Sequence, residues 1–416
     1  MRIVYCIPHL YNSGGMERVL TQKVNWLAAH TDYEITIVTT ELTPVGQSDV
    51  YFELDERVQV KALGIDFNAD YHKHLLSKYI GHARRLRAYK RALIGYIRSH
   101  AIDLCISLGG KEVAFISTLP CRTMVEFHFA KDHRQQLLDA NHTGWFWHLL
   151  GRIRTWQLVR DVRSVEQIIA LTEKDKQDWQ QAGCTNVKCI PNPCAIKYRE
   201  QSSEYGEQSS EYRVVSSEYR VQSSEYRVVS SEYGVQSKKT LLGVGRLHEQ
   251  KGFDMLLEAW NNVQRDNVQC TKDWTLRIVG EGEQRKKLGQ QIRDLHLSNV
   301  VLAGRVENMV EEYNAASLFV LSSRYEGLPL ALIEAMWCGV PCVSFDCPHG
   351  PAELLGDDRG WLVPAMDVAG LAKQIAYAMN HSEEAMERAQ RAQEYAYEKY
   401  SEANIMPQWV QLIENI

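Results

Sequence analysis

Residues 322–339 read SSRYEGLPLALIEAMWCG, an apolar segment that contains two carboxylates eight residues apart, Glu326 and Glu334. A Gly-Leu-Pro break follows the first of them. Pro329 suits the first turn of a helix, and Gly339 suits its end. The ordinary interpretation is that one glutamate caps this helix and the other faces water. The alternative is that both carboxylates bind the hydroxyl groups of a ligand held at the helix start.

The spacing of the two glutamates suits one extended ligand. At about 1.5 Å per residue, Glu334 lies roughly 7–8 Å along the helix axis from Pro329, whereas Glu326 precedes the helix. Unpaired backbone N–H groups at a helix start favour an anion. Here they come from Gly327, Leu328 and Leu330. A nucleotide sugar has hydroxyl pairs on both sides of a diphosphate, so the segment predicts one glutamate on the ribose and the other on the transferred sugar.

Length and composition limit the class of protein. The chain has 416 residues, of which 45% are hydrophobic, and this size favours two domains. A formal net charge of −5 argues against a nucleic-acid partner. The N-terminus is too polar for a signal peptide, and no apolar run is long enough to span a membrane, so we expect a cytoplasmic protein. The ten cysteines are scattered without a C-x-x-C, which favours reduced thiols over a metal site.

Strands and helices alternate in each half of the chain, which predicts parallel βαβ units and therefore an α/β fold with two Rossmann-like doubly wound sheets. Helices are predicted at 14–30 and 253–264. The predicted strands are residues 2–8, 34–40, 103–109, 123–128 and 167–172 in the first half, and 239–247, 274–282, 299–306, 317–323 and 340–345 in the second.

A repeat separates the two halves. The tetrapeptide SSEY begins at residues 202, 209, 216, 223 and 230, a period of seven. The heptad seam is weak, so we interpret the repeat as a low-complexity spacer, with a single helix as the alternative. The predicted division is therefore an N-terminal acceptor-side domain at 1–195, a linker at 196–238 and a donor domain at 239–394. The last helix, near 395–416, is expected to pack back on the N-terminal domain.

Three further stretches suit phosphate or sugar binding. A Gly-Gly turn at Gly15 lets backbone approach a phosphate. Arg246 and Lys251 lie in a loop before a helix and can bind a diphosphate, although surface cations would look the same. His128 ends a predicted strand, where doubly wound domains bind ligands, although a lone histidine is more often structural. Glu41, at the end of the second strand, keeps an NAD-dependent dehydrogenase open as an alternative.

Taken together, these motifs resemble the retaining glycosyltransferases of family 4, which have the GT-B fold, and in particular those that build bacterial surface polysaccharides. The resemblance covers nearly the whole chain, and the E-x7-E spacing with its Gly-Leu-Pro is specific. Its anchors are GGMERVL (14–20), LTEKDK (171–176), IPNP (190–193), GVGRLHEQKG (243–252), IVGEGEQ (278–284), VLAGRVEN (301–308), residues 322–344 and GPAELL (350–355).

The resemblance implies a role for each candidate residue. Arg246 and Lys251 would hold the donor diphosphate, with Gly15 approaching it from the opposite domain. Glu334 would bind the ribose, and Glu326 would bind the transferred sugar. The backbone around Val306 would meet the base. His128 would lie near the sugar as a catalytic residue, but this chain departs from the common Glu-His pair because Phe127 separates Glu126 from His128.

The expected activity is transfer of a hexose-type sugar, with retention of configuration, from a nucleotide diphosphate sugar to a glycan or lipid-linked acceptor. No cofactor and no metal are expected, since Arg246, Lys251 and the helix start supply positive charge to the leaving diphosphate. The sequence also lacks a D-x-D metal motif. A nucleotide-sugar epimerase of the same fold and a non-catalytic nucleotide-sugar-binding protein remain alternatives.

A basic segment suggests an additional partner. Residues 72–100 contain eight lysines and arginines, apolar residues between them and no acidic residue, and residues 144–156 combine tryptophan with arginine. Basic amphipathic helices with aromatic residues bind anionic lipid. A solvated helix face packed on its domain would show the same pattern. We therefore expect either peripheral association with the inner face of the cell membrane or an ordinary domain surface.

Overall fold

The computed structural model of the chain describes residues 1–44, 46, 48–67, 74–133, 135–136, 144–196, 239–266 and 271–416, without the side chains of residues 75, 76 and 78. The heptad repeat, and all of the predicted linker after residue 196, lie outside the described residues. Within the described residues, no helix is both long enough and apolar enough to cross a membrane.

The N-terminal half forms a parallel sheet of seven strands in the order β3-β2-β1-β4-β5-β6-β7. Five of the six residues of β1 are buried, as expected for a strand covered on both faces. The strands are β1 (Arg2–Ile7), β2 (Glu34–Thr39), β3 (Gln59–Ala62), β4 (Leu104–Ser107), β5 (Arg122–Glu126), β6 (Gln167–Ala170) and β7 (Val187–Cys189).

The C-terminal half forms a parallel sheet of six strands in the order β10-β9-β8-β11-β12-β13. These strands are β8 (Lys239–Val244), β9 (Trp274–Val279), β10 (Val300–Gly304), β11 (Leu318–Leu321), β12 (Cys342–Asp346) and β13 (Trp361–Pro364). Each half is thus an α/β domain, and the predicted fold class, GT-B with two Rossmann-like domains, is confirmed.

Helices connect the strands and cover both sheets. They are α1 (Gly15–His30), α2 (Leu75–Ser99), α3 (Trp145–Val162), α4 (Glu173–Gln181), α5 (Phe253–Asp266), α6 (Arg285–Asp294), α7 (Met309–Ala315), α8 (Leu330–Trp337), α9 (Pro351–Leu355), α10 (Val368–Asn380), α11 (Ser382–Tyr400) and α12 (Glu402–Glu414). Short 3-10 turns occupy Lys111–Ala114, Ile116–Thr118 and Glu249–Lys251.

Strand order reverses once in each sheet, between β1 and β4 and between β8 and β11. In doubly wound sheets the connections diverge to opposite faces at such a point and leave a crevice at the carboxyl ends of the strands. The segments that follow β1, β8 and β11 contain Gly15, Lys251 and Glu326, respectively. The topology therefore places the predicted binding residues at the two switch points.

The ten predicted strands are all present, and each is shorter than predicted, although β5 begins and β12 ends one residue outside its predicted range. Three strands have no counterpart in the sequence analysis, namely β3, β7 and β13, and all three lie at sheet edges. They are three or four residues long, and every residue of β3 is exposed. Segments this short show no reliable hydrophobic period.

The end of the chain returns to the N-terminal domain, but from a later residue than predicted. The helix that packs on α1 is α12, which begins at Glu402 and not near residue 395. Its Trp409 and Ile413 belong to the same buried cluster as Leu20 and Leu27 of α1. The preceding helix, α11, packs instead against α8 of the C-terminal domain.

Candidate active site

The start of α8 lies in the crevice between the domains, where three glycines allow other backbone segments to come close. A Cβ atom on Gly15 of α1 would lie 3.3 Å from Cδ1 of Leu330. One on Gly327 would lie 2.9 Å from the carbonyl oxygen of His128, and one on Gly350 would lie 2.5 Å from Cδ of Pro329. The Gly-Leu-Pro turn is therefore approached by segments of both domains, and its binding of an anion stays a prediction.

Glu326 is 7% exposed and is held by its own domain. Its Oε1 atom lies 2.6 Å from Nζ of Lys251 and also accepts a hydrogen bond of 2.6 Å from the Ser323 hydroxyl. The loop that carries Lys251 is fixed because the Ser322 hydroxyl donates to the Lys251 carbonyl at 2.9 Å. This pair brings a carboxylate and a cation together at the carboxyl edge of the second sheet.

Glu334 is 3% exposed and joins the two domains. One carboxylate oxygen accepts a hydrogen bond from the guanidinium of Arg18 on α1, and the other accepts one of 2.8 Å from the Tyr313 hydroxyl. Burial raises the pKa of Tyr313 and Glu334 raises it further, so the phenol stays protonated and donates. Burial by itself would lower the pKa of Arg18, but Glu334 raises it above its usual value.

These contacts exclude the ordinary interpretation of the two carboxylates. No side chain caps α8, since Pro329 occupies its N-cap position. Neither glutamate faces water, because each is buried against a basic residue. The helix ends as predicted, with Cys338 at the C-cap and Gly339 in the left-handed region at φ 66°.

The other predicted donor-site residues, Arg246 and Val306, lie in the same domain as this turn. Arg246 is exposed in the loop after β8, and it lowers the pKa of Tyr325, although burial raises that pKa overall. Val306 packs against the buried cluster that contains Leu328 and Leu332. Arg246 is thus close enough to affect the charge state of Tyr325, and Val306 shares a hydrophobic core with the α8 segment, while their contacts with a diphosphate and a base stay predictions.

His128 follows β5 on the N-terminal side of the crevice, with its backbone against Gly327. Its side chain is nearly buried, and its Nε2 atom lies 3.3 Å from Oε1 of Glu126. The same carboxylate oxygen lies 2.5 Å from Nζ of Lys23. Phe127 points the other way and stacks on Trp179 with ring centroids 4.6 Å apart. The intervening residue thus places Glu126 and His128 on the same side of the chain.

Glu41, the residue that a dehydrogenase would use for its ribose, is engaged by its own domain. The Tyr11 hydroxyl donates a hydrogen bond of 2.7 Å to its carboxylate. The Tyr11 ring stacks on His9 in the same loop, with ring centroids 4.5 Å apart. These contacts give the dehydrogenase alternative no support.

Sequence reasoning missed the residues that hold the two glutamates and the histidine. Arg18 lies inside the GGMERVL anchor, but its partner is 316 residues away. Lys23 had a detectable signal, since it is a charge on the apolar stripe of Leu20, Val24 and Leu27. Tyr313 and Ser323 had no such signal, because hydroxyl groups are common on helices and loops.

Comparison with known proteins finds similarity to glycosyltransferases. Residues 238–381 match the family model described as glycosyl transferases group 1. An uncharacterized glycosyltransferase of Haemophilus influenzae is 24% identical over 98% of this chain and 98% of that protein. The Campylobacter jejuni GalNAc-alpha-(1->4)-GalNAc-alpha-(1->3)-diNAcBac-PP-undecaprenol alpha-1,4-N-acetyl-D-galactosaminyltransferase is 24% identical over 100% of this chain and 99% of that protein. The crystal structure of Anabaena HepE in complex with UDP has a TM-score of 0.68 at 18% identity, over 100% of both chains, which shows a shared fold.

The close approach at Gly327 can be tested by adding one methyl group. Gly327→Ala places Cβ 2.9 Å from a backbone oxygen that has little freedom to move. We expect this overpacking to lower the free energy of unfolding by about 1–3 kcal/mol. We also expect faster amide hydrogen exchange at residues 122–130 and 325–337.

Gly289→Ala is the matched control. This glycine lies inside α6, where a new Cβ would meet nothing nearer than 3.8 Å. The change should stabilise the protein by about 0.5–1 kcal/mol. Equal unfolding and exchange in the two variants would show that the domains do not touch at Gly327.

Proposed function

We propose a specific transfer reaction for this protein, because its C-terminal half matches the group 1 glycosyltransferases and the whole chain has the GT-B fold. These two findings confirm the predicted resemblance to family 4. The enzyme moves a hexose-type sugar from a nucleotide diphosphate sugar to a glycan or lipid-linked acceptor, with retention of configuration, in cell-surface polysaccharide synthesis. One observation carries this proposal: Glu326, Glu334 and Lys251 lie around the start of α8. The backbone of the other domain comes close to the same helix start.

The relatives support the choice of substrates. HepE was crystallised with UDP, which favours a uridine nucleotide on the donor. The Campylobacter enzyme is named for transfer to a glycan on undecaprenyl diphosphate, which favours a lipid-linked acceptor. Both matches run the full length of this chain, so the support extends to the acceptor-side domain as well as to the donor domain.

The site would act mainly through charge. When the sugar–phosphate bond breaks, negative charge grows on the leaving diphosphate, and preorganised positive groups stabilise it. Arg246, Lys251 and the N–H groups at the start of α8 supply these groups. Glu334 would bind the ribose, for which it must exchange its contact with Arg18. Glu326 would bind the sugar opposite His128, and a front-face reaction with the donor phosphate as base gives retention.

Substitutions of the two glutamates should affect different steps, turnover for Glu326 and nucleotide binding for Glu334. Glu326→Gln removes a contact to the transferred sugar, so we expect kcat to fall on the order of 10²-fold while nucleotide binding survives. Glu334→Gln removes a contact to the ribose, so we expect nucleotide Kd to rise about tenfold, which is about 1.4 kcal/mol. Released nucleotide and isothermal titration measure the two effects.

Glu258→Gln, an exposed position on α5, is the control and should change neither quantity. Near-wild-type turnover in Glu326→Gln would show that the sugar-binding role is wrong. Incubation with donor but no acceptor belongs to the same experiment, because conversion of the donor alone would identify an epimerase. Binding without any turnover would identify a non-catalytic protein.

We propose that transfer needs no divalent metal, because Arg246 and Lys251 supply the positive charge at the diphosphate. Addition of EDTA should therefore leave the transfer rate nearly unchanged. The Arg246→Ala/Lys251→Ala variant should lose the rise in Tm that nucleotide gives the wild type. Loss of activity in EDTA, with recovery on addition of magnesium or manganese, would contradict this proposal.

We propose also that the N-terminal domain binds an anionic membrane surface through α3. One face of this helix is buried through Gly151, Thr155, Leu158 and Val162. The opposite face exposes an apolar stripe, with Trp145 78% and Trp156 62% exposed. The stripe, which we call the α3 face, consists of Trp145, Phe146, Leu149, Ile153 and Trp156. Arg152, Arg154 and Arg160 are exposed on the same helix.

The other predicted membrane segment contributes less than the sequence suggested. In α2, Tyr89, Leu93 and Ile97 are buried in the core of their own domain, which leaves Tyr79 and Ile80 as its exposed large apolar residues among the described side chains. The buried residues Tyr89, Leu93 and Ile97 are spaced by four, and this spacing explains the amphipathic pattern of the helix. The α3 face is therefore the better supported contact with lipid.

Vesicle flotation tests the membrane proposal. The protein should float with anionic vesicles and remain behind with neutral ones, because arginine is attracted to anionic headgroups. Trp145→Ser/Trp156→Ser should abolish flotation, whereas Val301→Ser, at an exposed apolar residue of the C-terminal domain, should not. Equal recovery with neutral vesicles, or no recovery with either kind, would exclude the proposal.

A further inference from the structure

Lys23 is a fully buried cation in the middle of α1. It lies on the stripe that packs α1 into the N-terminal domain, between Leu20 and Leu27. Its Nζ atom lies 2.5 Å from Oε1 of Glu126 and 3.7 Å from the ring centroid of Trp409 on α12. The returning C-terminal helix thus covers the ammonium group, and among the described residues Glu126 is its carboxylate partner.

Glu126 is the last residue of β5 and is also fully buried. Burial alone would raise its pKa, but Lys23 and His128 outweigh burial and lower the pKa to about 2. The group is therefore a carboxylate at neutral pH. It lies 3.3 Å from Nε2 of His128, so a single carboxylate oxygen faces both the buried cation and the histidine of the crevice.

This pair is poorly explained as a stabilising device. Removing two charges from water costs about as much as their attraction returns, and apolar residues of similar volume often stabilise a core equally well. The surrounding positions of α1 are leucine and valine, which already pack well there. A buried pair retained beside a site histidine is better explained by what it does to that histidine.

We propose that Lys23 and Glu126 are positioning residues for His128. Lys23 fixes Glu126 in place as a carboxylate, 3.3 Å from Nε2 of His128, where the carboxylate would accept a hydrogen bond from a proton on that nitrogen. That contact sets the ring orientation and the tautomer, because the bond made by one ring nitrogen decides the state of the other. The Nδ1 atom is then the ring nitrogen left for the substrate. This inference rests on the proposed function, in which His128 lies beside the donor sugar.

The first test separates positioning from stability. Lys23→Met leaves Glu126 buried without a counterion, so we expect a lower Tm and a kcat reduced by about 10- to 100-fold, with donor KM nearly unchanged. Lys23→Met/Glu126→Met removes both charges and should recover the wild-type Tm while kcat stays low. Recovery of Tm and kcat together would show that the pair is merely structural.

Arg388→Met/Glu384→Met is the control for removing an ion pair. This partly buried pair lies in α11, with Nε of Arg388 2.8 Å from the carboxylate of Glu384. The Arg388→Met/Glu384→Met variant should leave kcat unchanged. A fall in kcat equal to that of the Lys23 and Glu126 double variant would indicate a general effect of lost charge and would overturn the proposal.

The second test needs neither turnover nor the double variant. Nitrogen NMR of the histidine rings reports which ring nitrogen carries the proton, and His128→Gln assigns the signal. Wild type should show His128 protonated at Nε2, and the isosteric Glu126→Gln variant should shift that signal. An unchanged signal would overturn the proposal even if the enzyme is active. Conversely, if both NMR results are as expected but the wild-type protein transfers no sugar, the proposed function alone would be contradicted.

Discussion

The close approach of backbone to the start of α8 is the constraint on which the rest of the site depends. Gly15 and Gly327 have no Cβ, and this lets α1 and the β5 loop reach the Gly-Leu-Pro turn of the opposite domain. Bulkier residues at these positions would hold the domains apart. The start of α8 would then lose its contacts with α1 and with the loop that carries His128.

Charge pairing follows from this closeness. Carboxylates buried between domains need counterions, because an unpaired buried charge is costly. Lys251 serves Glu326 within one domain, whereas Arg18 serves Glu334 from the other. Helix α1 thus makes three separate contacts, through Gly15 with Leu330, through Arg18 with Glu334 and through Lys23 with Glu126. Its position, fixed by packing on α12, couples the donor side of the crevice to the histidine side.

Local patterns in the sequence predicted much of this arrangement. The βαβ alternation predicted both sheets, and the E-x7-E spacing predicted a carboxylate on each side of a helix start. Edge strands such as β3 were missed because four exposed residues have no hydrophobic period. The partners of Glu334 were missed because tertiary contacts between residues 316 apart leave no local pattern. The repeat between the domains, which we interpret as a spacer, lies outside the residues that the structure describes.

We propose above all that Glu334 and Glu326 bind the two ends of one nucleotide sugar, the ribose and the transferred sugar. A crystal structure of the protein with UDP tests this proposal most directly. We predict that the ribose hydroxyls lie within hydrogen-bond distance of Glu334, with Arg18 displaced from that carboxylate and the diphosphate between Lys251 and the start of α8. A bound nucleotide elsewhere, with the contacts of Glu334 to Arg18 and Tyr313 intact, would contradict the account.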